Sequence, residues 1–298
     1  HSMQKHLEIT RRRLDRFAGE MGARFYTHRA PVTLAVFQTP DRISYDEALR
    51  GSYRPAKVGE CLGPLRFTYW FRVDFTIPGE WRGREVHLLW NSSSEACVWQ
   101  NGQPRQGLTG SAPSGGKPVR GEYILTKSAK GGESDTLHIE AIGGFMNTPL
   151  QQAEIAAFDR AAWDLMWDLT ILAEMARELP GDSPRAGQEL SAGNQMANVC
   201  DLDDRRTWPA ARAIAAKFFA AHNGGGQHNL SAVGHGHLDK AWLWPLAETK
   251  RKAYRTFSTA VATMDLYPDY KFVCSQALQL DWMKTLQPAL YARIKRRV

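Results

Sequence analysis

The sequence has little cysteine and no paired cysteine motif. Few, widely separated cysteines favour reduced thiols in a cytoplasmic protein over a disulfide framework. We expect all the cysteines to act as small, buried apolar residues. They are far apart, with no C-x-x-C pair among them: Cys61, Cys97, Cys200 and Cys274.

Long apolar runs are also missing. No stretch of about 18 apolar residues occurs, and no charged start followed by an apolar signal region precedes the fold. We therefore expect neither a membrane partner nor a secretory signal. Hydrophobic residues at 43% and charged residues at 23% are typical of globular proteins, and 298 residues suffice for about two domains.

The net charge of +7 is diffuse. Tight basic clusters occur at residues 11–13 and 295–297, and no nucleic-acid-reading module accompanies them. We interpret the excess of Lys and Arg as solvated surface and expect no nucleic-acid partner.

Short apolar and aromatic runs predict an antiparallel β-sandwich over residues 29–145, preceded by an amphipathic helix over 4–28. Residues 1–3 resemble a tag remnant, because His1-Ser2 precedes Met3. Asn101-Gly102 is the clearest hairpin turn, and 111–120 reads as a loop. The runs, which Gly, Pro and Asn turns separate, are Thr33–Phe37, Thr68–Ile77, Glu85–Trp90, Ala96–Trp99, Tyr123–Leu125 and Thr136–Ile142.

This sandwich resembles jelly-roll domains of the galactose-binding type. Trp70, Trp81, Trp90 and Trp99 are interpreted as core or strand-end packing, and sugar stacking on exposed aromatics is the alternative. The region 146–226 reads as a helical linker. Apolar residues from Ile155 through Phe158 to Leu172 keep a three-to-four spacing, and a second helix is expected over 209–222.

The stretch GHGHLDKAWLWPL, from Gly234 to Leu246, carries the most chemistry. If Leu230–Val233 forms a strand, His235, His237 and Asp239 project to one side of its end. Imidazole and carboxylate together suit a divalent metal, zinc foremost. Two or three donors are also compatible with an ordinary strand-end turn, so the residue types alone leave both interpretations open.

Residues 229–294, with AVGHGHLDKAWLWPLAETKRKAYRTFSTA followed by YPDYKFVCSQALQLDWMK, resemble the opening of the catalytic domain of glycoside hydrolase family 38, the α-mannosidases, in particular the cytosolic type. NQMANVCD at 194–201 and YWFRVDFTIPGEW at 69–81 extend the resemblance over most of the chain. It implies that residues 227–298 form the first βα repeats of an α/β barrel.

The resemblance implies specific roles for the motif. His237 and Asp239 fall on the metal ligands, Trp242 on the aromatic wall beside the bound sugar, and His235 becomes a neighbour. The implied cofactor is zinc, with cobalt or another divalent metal as the alternative. Lys240 stands where relatives have a small or apolar residue, and its ammonium is expected to weaken metal binding unless it points to solvent.

The family's enzymes are retaining glycosidases, whose two carboxyl groups lie about 5 to 5.5 Å apart. The resemblance places the nucleophile, also a metal ligand, and a further histidine ligand on later barrel strands, so we expect the nucleophile downstream of Val298. A closed barrel takes about 250 residues. We therefore expect a fragment, expressed or naturally truncated, that contains no catalytic residue and is inactive alone.

The helix after Trp244-Pro245 is expected to present a solvated charged face, with Glu248 four residues before Lys252. Phe272–Ser275 is read as a buried second parallel strand.

Two hypotheses follow. The chain is the N-terminal part of a metal-dependent exo-α-mannosidase that removes terminal α-mannose from free oligosaccharides or N-glycan fragments and forms a homo-oligomer. Alternatively, it is a non-catalytic carbohydrate-binding or assembly module with a remnant metal motif. A deacetylase-like metal hydrolase is disfavoured by the wide match.

Overall fold

The computed structural model describes residues 7–111, 117–143, 148–179, 184–221, 230–240 and 242–298. The chain divides into a helical unit, residues 1–28 with 157–229, and a larger unit, residues 29–156 with 230–298. No helix among the described residues is long and apolar enough to cross a membrane. Parts of the expected loop 111–120 and the expected helix end at 222 lie outside the described residues.

The helical unit consists of α1 (Leu7–Gly22), α3 (Arg160–Glu178), α4 (Pro184–Val199) and α5 (Trp208–Phe219). Leu14 and Met21 of α1 are fully buried in its core, together with Leu165 and Leu169 of α3. The expected amphipathic helix near the start of the chain is thus confirmed.

Helix α4 was not expected from the sequence. Its residues, PRAGQELSAGNQMANV, are small and polar and show no clear apolar stripe. Small residues instead permit close packing, because a Cβ added at Gly193 would lie 2.6 Å from Leu14 Cδ1. Leu190 and Met196 complete the contact with the core. The helix is therefore stabilised by tertiary packing more than by its own pattern.

The jelly-roll sandwich contains two sheets, and its prediction is confirmed. All pairings in the six-stranded sheet are antiparallel, and so is the pairing of β5 with β8. The first sheet has the order β3-β2-β4-β9-β6-β7 and the second β1-β10-β5-β8. The strands are β1 (Tyr26–Pro31), β2 (Thr33–Thr39), β3 (Arg54–Ala56), β4 (Thr68–Thr76), β5 (Glu85–Asn91), β6 (Glu95–Gln100), β7 (Gln103–Thr109), β8 (Glu122–Thr126), β9 (Ser134–Ile142) and β10 (Gln152–Phe158); a short helix, α2 (Tyr45–Leu49), follows β2.

Aromatic side chains fill the sandwich core. Trp70 is fully buried, Trp90 is 1% exposed and Trp99 is 3% exposed, so the core interpretation is right. Phe71 meets Trp90 edge to face at 5.0 Å between ring centroids. The hairpin joining β6 and β7 turns at Asn101-Gly102, where φ is 53° and 74°, as a tight two-residue turn requires.

The expected helix around Ile155 and Phe158 is wrong. Both residues lie in β10, where Ile155 is completely buried, and the helix starts only after Asp159, whose carboxylate accepts a hydrogen bond from the Ala162 backbone N–H. A strand buried on both faces reads as a continuous apolar run, which chance spacing can make look helical. The sandwich boundary expected at 145 therefore falls before its last strand.

The cysteines also differ in part from expectation. Cys97 and Cys200 are buried, but Cys61 is exposed and Cys274 is half-buried. Cys61 lies outside the named strands, in an isolated bridge with Pro149, and so is not held between the two sheets. All four are free thiols.

The C-terminal part of the larger unit begins a parallel β/α arrangement. Strand β11 (Gly234–His235) pairs in parallel with β12 (Phe272–Val273), and α6 (Leu246–Leu266) connects them; α7 (Ala277–Leu286) and α8 (Pro288–Lys295) follow. The strand expected at 230–233 is displaced to 234–235, and Leu230 is 97% exposed. Val273 is 47% exposed, not buried as expected, because β12 has only β11 as a neighbour among the described strands.

The expectation of a solvated charged face on α6 is wrong. Glu248 is fully buried, Arg251 is 4% exposed and Arg255 is 6% exposed, because this face packs on the six-stranded sheet. Glu248 accepts hydrogen bonds from Arg255 at 2.7 Å and Arg251 at 3.3 Å. A sequence pattern of charged residues at helical spacing does not distinguish a helix face exposed to water from one that packs on a sheet.

Carboxylates of the sheet complete this ion-pair network. Glu140 of β9 pairs with Arg251 and accepts a hydrogen bond from Tyr254, and Glu95 of β6 pairs with Arg255 at 2.8 Å. Burial alone would raise the pKa of Glu248, but Arg255 and Arg251 hold that pKa below its ordinary value. The helix is thus held to the sheet by paired charges.

Replacing Glu248 with Gln should lower the free energy of unfolding of the larger unit by about 3–5 kcal/mol, because two buried guanidinium groups lose a partner. Urea unfolding monitored by circular dichroism measures the change. Glu80→Gln, at an exposed position, is the matched control and should leave stability unchanged. Equal effects of the two substitutions on the free energy of unfolding would show that the ion-pair network does not stabilise the fold.

The same network predicts acid sensitivity. The pKa values of Glu248 and Glu95 are lowered from 4.5 in the folded protein, so below that pH the unfolded chain binds protons that the folded one does not. Their stabilisation is present above the unfolded pKa and is lost as pH falls through the folded pKa. Urea midpoints measured from pH 6 to pH 3 should fall less steeply for Glu248→Gln than for the unaltered chain.

Candidate metal-binding site

The motif begins at β11 and continues into the irregular segment that leads to α6. His235 is in the strand, while His237 and Asp239 follow it, two residues apart. The Nε2 atom of His237 lies 3.2 Å from Oδ1 of Asp239. The structure thus brings these two side chains together.

This distance fits a shared metal ion as well as a hydrogen bond. Tetrahedral zinc with ligand bonds near 2.0–2.2 Å places neighbouring donor atoms about 3.4 Å apart. The His237 side chain is 84% exposed and the Asp239 side chain 44%, so an ion can reach both. Among the described residues, no group of three or more His, Cys, Asp or Glu side chains converges. The described part of the chain thus supplies two donors.

Val298, the residue beyond which the nucleophile is expected, has no part in this site. Its side chain is fully exposed, and it does not line the cavity beside the motif. The nearest preceding element, α8, ends at Lys295. The position of the nucleophile therefore stays a prediction.

Two glycines bring the motif close to its neighbours. A Cβ added at Gly236 would lie 2.7 Å from Cγ2 of Thr256 on α6, and one at Gly234 would lie 2.4 Å from Oη of Tyr270. The alternation of glycine and histidine therefore combines close backbone packing with side chains that project from the strand end.

Trp242 offers an accessible aromatic surface. Its side chain is 65% exposed, and its ring meets Trp244 edge to face at 5.2 Å. Trp244 is held in turn by the Lys252 ammonium, 4.4 Å from its ring centroid, and by a hydrogen bond from its indole N–H to Thr249 Oγ1 at 3.1 Å. The exposed ring thus rests on a fixed one.

Lys240 is exposed, and its backbone carbonyl accepts a hydrogen bond from Thr249 Oγ1 at 2.8 Å. The backbone next to Asp239 is therefore anchored to α6, while the Lys240 side chain extends from the surface. Its effect on metal affinity stays a prediction.

A cavity of about 500 Å³ adjoins the motif. Side chains from three places line it: His237 and Asp239 from the motif, Lys252 from α6, and Glu95 and Arg120 from the sandwich. No sequence pattern indicated the last two, since more than a hundred residues separate them from the motif and neither belongs to a motif of its own. The fold alone brings them together.

Family models match both parts of the larger unit. Residues 30–157 match the model described as "Alpha-mannosidase, jelly roll domain", and residues 227–298 match "Glycosyl hydrolases family 38 N-terminal domain". Glycoside hydrolases with a jelly roll are thus the class that the fold and the motif define.

Relatives agree with these matches. The chain is 40% identical to "Alpha-mannosidase 2C1" of Mus musculus, over 98% of this chain and 30% of the relative, and 34% identical to "Alpha-mannosidase G" of Dictyostelium discoideum, over 99% and 29%. Over nearly its whole length the chain is therefore similar to α-mannosidases, and its C-terminal region matches glycoside hydrolase family 38. It spans about 30% of the length of these relatives.

Among solved structures, a β-glucuronidase from Ruminococcus gnavus aligns with 46% of this chain and 30% of its own, at a TM-score of 0.32 and 14% identity. A likeness of that size supports no argument.

Proposed function

We propose that this chain is the N-terminal part of a metal-dependent, retaining exo-α-mannosidase of the cytoplasm, which removes terminal α-mannose from free oligosaccharides or N-glycan fragments. The observation that supports this most is the pairing of His237 Nε2 and Asp239 Oδ1 at 3.2 Å inside the region that matches the family 38 domain. We also propose a homo-oligomer for the intact enzyme.

In this proposal His237 and Asp239 hold one zinc ion, with cobalt or another divalent metal as the alternative. Such an ion supplies Lewis-acid coordination of sugar hydroxyls. The imidazole must be neutral and the carboxylate ionised to bind it, so protons compete with the metal ion for these two ligands. Trp242 stacks its exposed ring on the apolar face of the sugar and excludes water from that side.

Glu248 and Glu140 of the ion-pair network are unsuited to act as general acid or nucleophile. Glu248 is fully buried, and its lowered pKa opposes a role as proton donor near neutral pH. Glu140 is also fully buried, engaged by Arg251 and Tyr254. We therefore assign the two carboxyl groups of the retaining reaction to the rest of the longer protein, downstream of Val298, and propose that this chain alone has no turnover.

The alternative of a carbohydrate-binding module has less support. Sugar-binding sandwiches need aromatic rings on an open face, and the rings of Trp70, Trp90 and Trp99 are at most 3% exposed. Among the described residues of the larger unit, the exposed tryptophan is Trp242, beside the metal motif and outside the sandwich. The observation thus favours a sugar site at the motif.

Zinc titration by calorimetry tests the ligands. His237→Ala and Asp239→Ala should each weaken zinc binding by the chain at least tenfold, because each removes one of two donors. His235→Ala is the matched control, a histidine of the same motif that we do not assign as a ligand, and should bind as the unaltered chain does. Binding that persists in His237→Ala would mean that the ligands are wrongly assigned.

Activity of the full-length protein on an aryl α-mannoside tests Trp242. Trp242→Ala should lower kcat/KM on the order of tenfold, since ring stacking contributes about 1 kcal/mol beyond area burial. Trp167→Ala, at a 41% exposed position on α3, is the control and should leave kcat/KM unchanged. An unaffected Trp242→Ala enzyme would remove this residue from the sugar site.

A further inference from the structure

Thr249, in the first turn of α6, joins three parts of the motif segment. Its side chain is completely buried. Its hydroxyl lies 2.8 Å from the carbonyl oxygen of Lys240 and 3.3 Å from that of Asp239, so it donates chiefly to the first. The same oxygen accepts the indole N–H of Trp244 at 3.1 Å. The Thr249 hydroxyl therefore acts both as a hydrogen-bond donor, to a backbone carbonyl, and as an acceptor, from an indole N–H.

The contacts of Thr249 involve Asp239, a proposed metal ligand, and Trp244, which packs against Trp242. Asp239 lies between β11 and α6, where the described residues form no strand pairing that would fix the backbone orientation. Thr249 Oγ1 contacts the carbonyl oxygens of both Asp239 and Lys240, at 3.3 Å and 2.8 Å, and so holds the backbone from which the Asp239 carboxylate projects toward His237. Trp244, the other partner of Thr249, is the ring against which Trp242 packs.

We propose that Thr249 is a positioning residue for the metal-binding segment: its hydroxyl fixes the Asp239–Lys240 backbone, so that the Asp239 carboxylate meets the His237 imidazole, and it holds Trp244 under Trp242. This inference rests on the proposed metal site and deepens it. Removing a group that orients a metal ligand by hydrogen bonding, without contacting the metal itself, typically weakens metal binding about 10–100-fold.

The residue type suits this role. Valine has nearly the shape of threonine but no hydroxyl, so it would leave a buried carbonyl and an indole N–H without this partner. Serine keeps the hydroxyl and loses only a methyl group. Thr263, on the same helix, donates its hydroxyl to the Thr259 carbonyl at 2.8 Å and makes none of the contacts with residues 239, 240 or 244 that define Thr249.

The experiment compares Thr249→Val, Thr249→Ser and Thr263→Val in the chain by two measurements. Hydrogen exchange without metal follows the amides of residues 237–244, and calorimetry gives the zinc dissociation constant. Thr249→Val should speed exchange in this segment and raise the dissociation constant about 10–100-fold. Thr249→Ser should restore both toward the original values, and Thr263→Val should change neither.

The two measurements separate this inference from the proposed function. If the unaltered chain binds no zinc while Thr249→Val still speeds exchange at 237–244, positioning by Thr249 is supported and the metal proposal fails. If zinc binds equally well to the unaltered chain and to Thr249→Val, the inference is overturned and the metal site stands. Faster exchange along the whole of α6 would make the role merely structural and would also overturn it.

Thr249→Val is the variant with the greatest risk of misfolding. Trp244→Phe provides an independent test because it removes the indole N–H and leaves Thr249 in place. We expect it to weaken zinc binding by less than Thr249→Val and to loosen residues 242–244 selectively. An exchange pattern and zinc affinity identical to those of the unaltered chain would overturn the inference.

Discussion

The ion-pair network between α6 and the six-stranded sheet is the interaction on which the larger unit depends. Arg251 and Arg255 each bind Glu248 of their own helix and a glutamate of the sheet, Glu140 or Glu95. Buried charges are expensive to remove from water, and only close pairing recovers that cost. A helix that slid or rotated on the sheet would separate the pairs, so the network specifies one position of α6.

That position determines where the motif lies. The N-terminal turn of α6 carries both Glu248, which enters the network, and Thr249, which binds the backbone of the motif. Lys252, one turn later, pairs with Glu95 of the sheet and covers the ring of Trp244. The sandwich therefore does more than precede the β11–α6–β12 segment in sequence: through α6 it orients the strand end from which His237 and Asp239 project.

Much of this arrangement could be predicted from sequence, and the failures share one cause. Alternating apolar runs and the Asn101-Gly102 turn report local structure, so six of the ten strands of the sandwich were found. Ile155 in β10, Gly193 in α4 and Glu248 in α6 depend on what lies opposite them, which no local pattern records. The motif identified its own residues, but Glu95 and Arg120 reach the cavity only through long-range pairing of strands.

Cys97 lies beneath the contact between α6 and the six-stranded sheet. It is completely buried in β6, in the core that α6 covers, and burial raises the pKa of its thiol far above the ordinary value. Because the thiolate is the reactive form, this side chain is chemically silent as long as the helix stays on the sheet. The rate at which Cys97 is alkylated would therefore measure how often α6 separates from the sheet, and alkylation of the exposed Cys61 would serve as the internal standard.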